Sequence, residues 1–226
     1  MLSFVHSRCL SIPGTIWYVQ SYPATITPSG RQQSMKRILL SSATIVMCLG
    51  FLQAAAPDPA SDHPQYSSDN HLLRPENYRE WIFLSSGFGM NYSPQPGSHE
   101  MFTNVFVPQW TYREFLNSGK WPDHTTFVVE ERMEQSKGSI NKHGHFQTDS
   151  MGIGVEVKDE SRFPNKWAYF NFDEGDKSAA ANPKQACWQC HEDHAAVEHS
   201  FVQFYPTLKP VAKKFGTYKQ AAEDVK

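Results

Sequence analysis

Thr125-Thr126-Phe127-Val128-Val129, at the centre of the segment His124 to Met133, is a run of β-branched and aromatic residues that reads as a strand. By two-residue alternation Phe127, Val129 and Glu131 share one face of it. Working outward, Phe102-Thr103-Asn104-Val105-Phe106-Val107 reads as another strand, and so does Ile82 to Phe88, closed by Gly89. Ile153, Val155 and Val157 alternate as a further strand, and Trp167 to Phe172 is an aromatic-rich one. Pro108 starts a helix that runs to Asn117 and is stopped by Gly119. Pro75 opens a short helix through Trp81. Residues 135–150, rich in Ser, Gly, Asn, Lys and His, read as a polar loop. Two or more helices around Cys187–His199 and Thr207–Lys214 close the chain, and no internal repeat is present. The pattern predicts an α+β fold: a single domain rich in antiparallel β-sheet, with a few helices, one of them near the C-terminus carrying the motif described below.

The chain of 226 residues has a formal charge of −2, with 39% hydrophobic, 13% aromatic and 19% charged residues. That length supports a real core. The charge balance and the lack of a basic stripe argue against nucleic-acid binding. The Gly and Pro counts and the aromatic load exclude collagen-like, coiled-coil and disordered classes. The charges are unevenly placed, because no Asp or Glu precedes Asp58. Residues 57–226 hold 17 Lys and Arg against 23 acids, a charge of −6.

The first 56 residues read as an address. Met35-Lys36-Arg37 is a short basic start, Ile38 to Leu52 an apolar run, and Ala54-Ala55-Ala56 supplies small residues for cleavage. The run is shorter than the roughly 20 apolar residues that span a bilayer. Residues 35–56 are expected to be a signal peptide, with a signal anchor as the alternative, and the domain is expected to be periplasmic with no membrane span after cleavage. Pro57 disfavours cleavage directly after Ala56, and the bulky Met47 before Cys48 argues against a lipoprotein site. Residues 1–34 are expected to be an upstream extension from a misassigned start. Residues 57–71 are expected to be a flexible lead-in and 72–226 the functional domain.

Cys9 and Cys48 leave with the leader, so Cys187 and Cys190 alone remain. They belong to Cys187-Trp188-Gln189-Cys190-His191, the C-x-x-C-H attachment sequence of c-type haem. Two thiols one helical turn apart can each add to a vinyl group of one porphyrin. His191 then donates an imidazole nitrogen to the iron. The rivals are a thioredoxin-like redox pair and half of a zinc site. The first should lie near a βαβ pattern early in a domain. The second needs two further ligands, which His194 and His199 could supply on paper. One covalently attached haem c, bound by Cys187, Cys190 and His191, is the expected cofactor.

Several stretches together carry a wider resemblance. Arg74-Pro75-Glu76-Asn77-Tyr78-Arg79-Glu80-Trp81, the turn Gly119-Lys120-Trp121-Pro122-Asp123 before a strand ending at Glu130, Val157-Lys158-Asp159 and Trp167-Ala168-Tyr169-Phe170 are similar to segments of the cytochrome P-460 family, which includes the cytochromes c′-beta. The segment from Cys187 through His191 to Phe201-Val202-Gln203-Phe204-Tyr205-Pro206-Thr207-Leu208 resembles it most closely, and the likeness covers nearly all of residues 72–215. The resemblance implies a β-rich fold, a homodimer, and a five-coordinate haem with His191 proximal and an open distal face. Members that oxidise hydroxylamine carry a lysine cross-linked to the haem; its place here is held by Val129, which cannot form that bond, and Lys120 and Lys137 are out of register. A basic distal residue of those members aligns with Thr103. Phe127, Val129 and Thr103 thus join the expected haem contacts, in an apolar distal pocket that favours neutral diatomics such as nitric oxide or carbon monoxide.

Three functions follow as expectations. The first is binding of nitric oxide or related small nitrogen species. The second is oxidation of hydroxylamine or nitric oxide, with electrons passed to a partner cytochrome. The third is electron transfer with a sixth ligand from Met90, Met101, Met133 or Met151, each otherwise core filler. His194 and His199, on a continuing helix, would stay on the proximal side; His143 and His145 read as solvated loop residues. Phe201, Phe204 and Tyr205 read as packing near the porphyrin. Glu130 and Glu131 read as a strand-end charge pair, with proton transfer open to Glu131 if it faces the distal cavity.

Overall fold

Alternation along the strands and a few stop signals between them set the element order. The computed structural model describes residues 62–90 and 100–223. The expected signal peptide and upstream extension lie outside the described residues. In chain order the elements are β1 (Leu72–Leu73), β2 (Ile82–Phe88), β3 (Met101–Val107), α1 (Gln109–Ser118), β4 (Thr126–Gln135), β5 (Phe146–Lys158), β6 (Trp167–Asp173), β7 (Ser178–Ala179), α2 (Lys184–His194) and α3 (Lys209–Phe215). Strands β2-β3-β4-β5-β6 form one antiparallel sheet in sequence order, and β1 pairs with β7. The α+β expectation holds.

The sheet has two working faces. Val128, Ile153, Val155, Val157, Phe170 and Phe172 pack on one side with Leu72, Tyr78 and Trp81. The other face carries Val107, Phe127 and Tyr169, packed under Phe115, Trp121, Val202, Tyr205 and Leu208. Phe127 is fully buried, with Trp121 at 4.7 Å and Tyr205 at 6.3 Å between ring centroids; removing such a ring from water contributes about 1.5–3 kcal/mol. Helix α1 ends as expected: Gly119 sits at φ 67° and its N–H bonds the Phe115 carbonyl.

Three local expectations need correction. The polar segment 135–150 is not all loop, because β5 begins at Phe146. Its first half is polar and largely exposed at the end of the sheet, and register shifts near Arg132 break the alternation that would have marked it. Gly152 there has φ 144°, and a Cβ would stand 2.6 Å from the Phe172 carbonyl oxygen, so only glycine fits. The short helix after Pro75 is a single 3-10 turn, Tyr78–Glu80. Glu130 and Glu131 are not a strand-end pair: β4 runs on to Gln135, and the pleat sends them to opposite faces. Glu130 lies buried on the face of Val128 and Tyr78, where Tyr78 Oη, Arg79 and Arg132 donate to Oε1 and Asn104 donates to Oε2.

Candidate functional site

Helix α2 follows Pro183, a residue suited to a helix entry, and carries Cys187, Cys190 and His191 on its last two turns. Both thiols are free; Cys187 is half-buried and Cys190 exposed. Burial pushes the Cys190 thiol up, with further pushes from Asp193 and Cys187. Asn182 Nδ2 lies 3.6 Å from Cys187 Sγ.

The helix stops at His194, and Ala195 is extended. His199 therefore sits on a loop beyond it, and the expectation of a helix continuing to His199 is wrong. Gln203 makes the break: its Nε2 donates to the His194 carbonyl and its Oε1 accepts from the Ala196 N–H. The loop then folds back, so that His191 Nδ1 donates to the carbonyl oxygen of His199 at 2.7 Å. With Nδ1 so engaged, Nε2 is the nitrogen left for a metal, the arrangement that orients a ligating histidine. The loop is held in turn by Lys158, whose buried Nζ donates to the Trp121 carbonyl at 2.7 Å and to Glu198 Oε2 at 2.9 Å. Trp121 Nε1 donates to Ser200 Oγ. The His199 ring lies tilted against Trp188 at 4.8 Å, its Nε2 is 3.0 Å from Glu192, and burial depresses its pKa to about 4.

The sheet supplies the opposite wall. Register pairs Val129 with Val105 and Gly154, Glu131 with Thr103 and Gly152, and Phe127 with Glu156, which pairs with Tyr169. Thr103, Phe127 and Val129 therefore share the face that α2 packs on through β6. Cys187 and Trp188 pack against the core of that face. Tyr169 and Phe201 flank the His191 ring at 4.5 and 4.6 Å. Phe127 is enclosed by Trp121, Trp167 and Tyr205.

Glu156 was not expected. Its carboxyl Oε1 stands 3.7 Å from His191 Nε2, and burial raises its pKa, opposed by His191. The signal was in the alternation: if Ile153, Val155 and Val157 face one core, Gly154 and Glu156 face the other. Lys158 continues that face and was missed for the same reason.

Other candidates fall away from the site. Met133 and Met151 are about half exposed, and Met90 is exposed at 41%. His145 pairs with Glu134 at 2.7 Å, and His143 is exposed. Among the described residues, the ligand-type side chains that gather in a group of three are Asp123, His124 and Asp159, not the cysteine pair. No helix among the described residues is long and apolar enough to cross a membrane.

The residues present fit a haem. Three buried polar atoms at this site, Tyr169 Oη, Trp188 Nε1 and His199 Nδ1, have no hydrogen-bond partner among the described residues. A Cβ built on Gly154 would meet one atom within 4 Å, Val129 Cβ at 3.9 Å, so the wall is recessed there. Thiols, a tautomer-fixed imidazole and a recessed apolar wall form a donor set suited to an iron porphyrin.

No curated protein matches the chain. The model of the family described as Cytochrome P460 matches residues 75–202, more than half of the chain and a span that includes Val129, Glu156, Cys187, Cys190, His191 and His199. The chain belongs to the cytochrome P460 family, whose members are haem-binding cytochromes.

Proposed function

We propose that this is an exported mono-haem c-type protein that binds nitric oxide or a related small nitrogen species. Cys187 and Cys190 would hold a haem through thioether links to its vinyl groups, and His191 would hold the iron through Nε2. A bound haem supplies an iron coordination position for a neutral diatomic ligand. The observation that carries the reading is the His191 Nδ1 bond to the His199 carbonyl, beside two free thiols on the same helix. Val129 on the facing strand offers no amine, which separates this chain from the lysine-linked oxidising members that it resembles. A periplasmic location after signal cleavage and a homodimer complete the reading.

A second reading, oxidation of hydroxylamine with electrons passed to a partner cytochrome, is favoured by one observation: the buried acid Glu156 beside His191. An electron-transfer role with a methionine ligand would have to draw on Met90, Met101, Met133 or Met151, three of which are exposed.

The test is the optical spectrum of the ferrous protein with and without carbon monoxide, together with the mass of the denatured chain. A prompt shift with carbon monoxide and the mass of two thioether links support gas binding. A third covalent link would establish the oxidase reading instead, and no response to carbon monoxide the electron carrier.

A further inference from the structure

We propose that Glu156 is a second protein ligand of the ferric haem iron held by His191, and that it leaves the iron on reduction, when a small ligand takes its place. This inference rests on the haem reading above and gives an occupant to the coordination position that the resemblance leaves open.

The geometry carries it. His191 Nδ1 is committed to the His199 carbonyl, so Nε2 is the metal-facing nitrogen, and Glu156 Oε1 lies 3.7 Å from it. That separation is too long for a hydrogen bond. Bonds from a first-row metal to imidazole nitrogen and carboxylate oxygen are about 2.0–2.2 Å, as at zinc, so two such ligands on opposite sides of one ion stand about 4 Å apart. A shift of a few tenths of an ångström, well within side-chain freedom, would join them through a metal.

The surroundings point the same way. Glu156 sits in the middle of the sheet, its backbone pinned between Phe127 on β4 and Tyr169 on β6. No described residue donates a hydrogen bond to its carboxyl. A buried carboxyl with no donor is costly unless it is protonated or meets a cation. Its counterpart on the other face, Glu130, accepts from four side chains. The fold thus satisfies one buried acid fully and leaves the other facing His191. The next position on that face is Gly154, where no side chain stands beside Val129.

The exchange balances simply. A one-electron reductant converts ferric to ferrous iron, and hard oxygen donors hold the less charged ion more weakly. The iron–oxygen bond breaks with both electrons left on the carboxylate. The incoming neutral ligand then donates its own lone pair to the iron, and no proton moves.

The test uses the haem-loaded full chain at one fixed pH, as wild type, Glu156→Gln and Glu156→Leu, with haem content and circular dichroism as controls for folding. Electron paramagnetic resonance and resonance Raman of the ferric protein read the coordination, azide titration reads access to ferric iron, and dithionite plus carbon monoxide reads the ferrous site. The expected result is a six-coordinate ferric wild type with an oxygen ligand that both variants lose. The apparent Kd for azide falls about tenfold in Glu156→Leu, because a competitor filling about nine-tenths of the iron weakens apparent binding by that factor. Carbon monoxide affinity of the ferrous form stays within about twofold across all three. Identical ferric spectra and unchanged azide affinity would overturn the assignment and leave Glu156 as an acid that pairs with His191 only before haem attachment. Absence of a pyridine haemochrome in the wild type would instead overturn the haem reading, and this inference with it.

Discussion

The imidazole of His191 is oriented by a main-chain oxygen, the carbonyl of His199, eight residues on and beyond the end of its own helix. A carbonyl cannot be removed by substitution, so its position is set by the groups that clamp the loop. Lys158 is the central clamp, joining the Trp121 carbonyl to Glu198.

Lys158→Met should therefore loosen the aim of His191. Loss of buried charge-assisted hydrogen bonds is expected to lower unfolding free energy by about 2 kcal/mol, read by denaturant titration. In the haem-loaded protein the iron–histidine stretch should move to lower frequency. An unchanged stretch beside a lowered stability would assign Lys158 to the fold alone.

His191→Gly separates attachment from ligation. Haem should stay on the chain through an acid-acetone wash, because Cys187 and Cys190 still carry it. The ferrous spectrum should change and return on addition of imidazole. Haem lost in the wash would show that the thioethers do not form.

Gly154→Leu fills the recess beside Val129. A Cβ there meets the Val129 side chain at 3.9 Å, an ordinary contact, and no backbone, so thermal stability of the haem-free chain should move little. Haem loading should fall severalfold, measured as haem per chain after co-expression with a maturation system. Equal loading would place the porphyrin elsewhere.

Glu130 predicts acid sensitivity. Burial raises its pKa, but hydrogen bonds from Arg79, Tyr78 and Asn104 outweigh this and hold it below the usual carboxylate range. A depressed folded pKa means that the unfolded chain binds the proton more readily. The contribution to stability is complete above about pH 4.5 and is lost as pH falls through the folded value. Glu130→Ala leaves Tyr78 Oη without its acceptor and Arg79 and Arg132 without their carboxylate, and should cost about 3 kcal/mol. It should also flatten the fall in stability between pH 5 and pH 3, followed by denaturant titration at each pH.

The sequence made the sheet legible wherever one strand face was apolar. Phe127 and Val128, or Ile153, Val155 and Val157, announce a pleat by themselves. It was silent at the polar start of β5, where Phe146 to Met151 are largely exposed and the register is broken by a bulge. The thiols and His191 were legible because their chemistry demands fixed spacing along one helix. Glu156, Lys158 and the His199 carbonyl were not, because each acts on residues distant in the chain. Glu156 meets His191 only once β5 and α2 are packed. Glu130 and Glu131 were adjacent in sequence and were read as one feature, yet the pleat separates them completely.

The interleaving of the two faces has an evolutionary consequence. Along β4 and β5 the residues on the face that α2 packs against (Val129, Gly154, Glu156) alternate with those that hold the opposite core (Val128, Ile153, Val155). A single codon change at one of the former alters what the pocket offers a ligand and leaves the neighbouring layer undisturbed. On such a sheet the chemistry of one face can be changed one substitution at a time while the residues of the opposite core stay as they are.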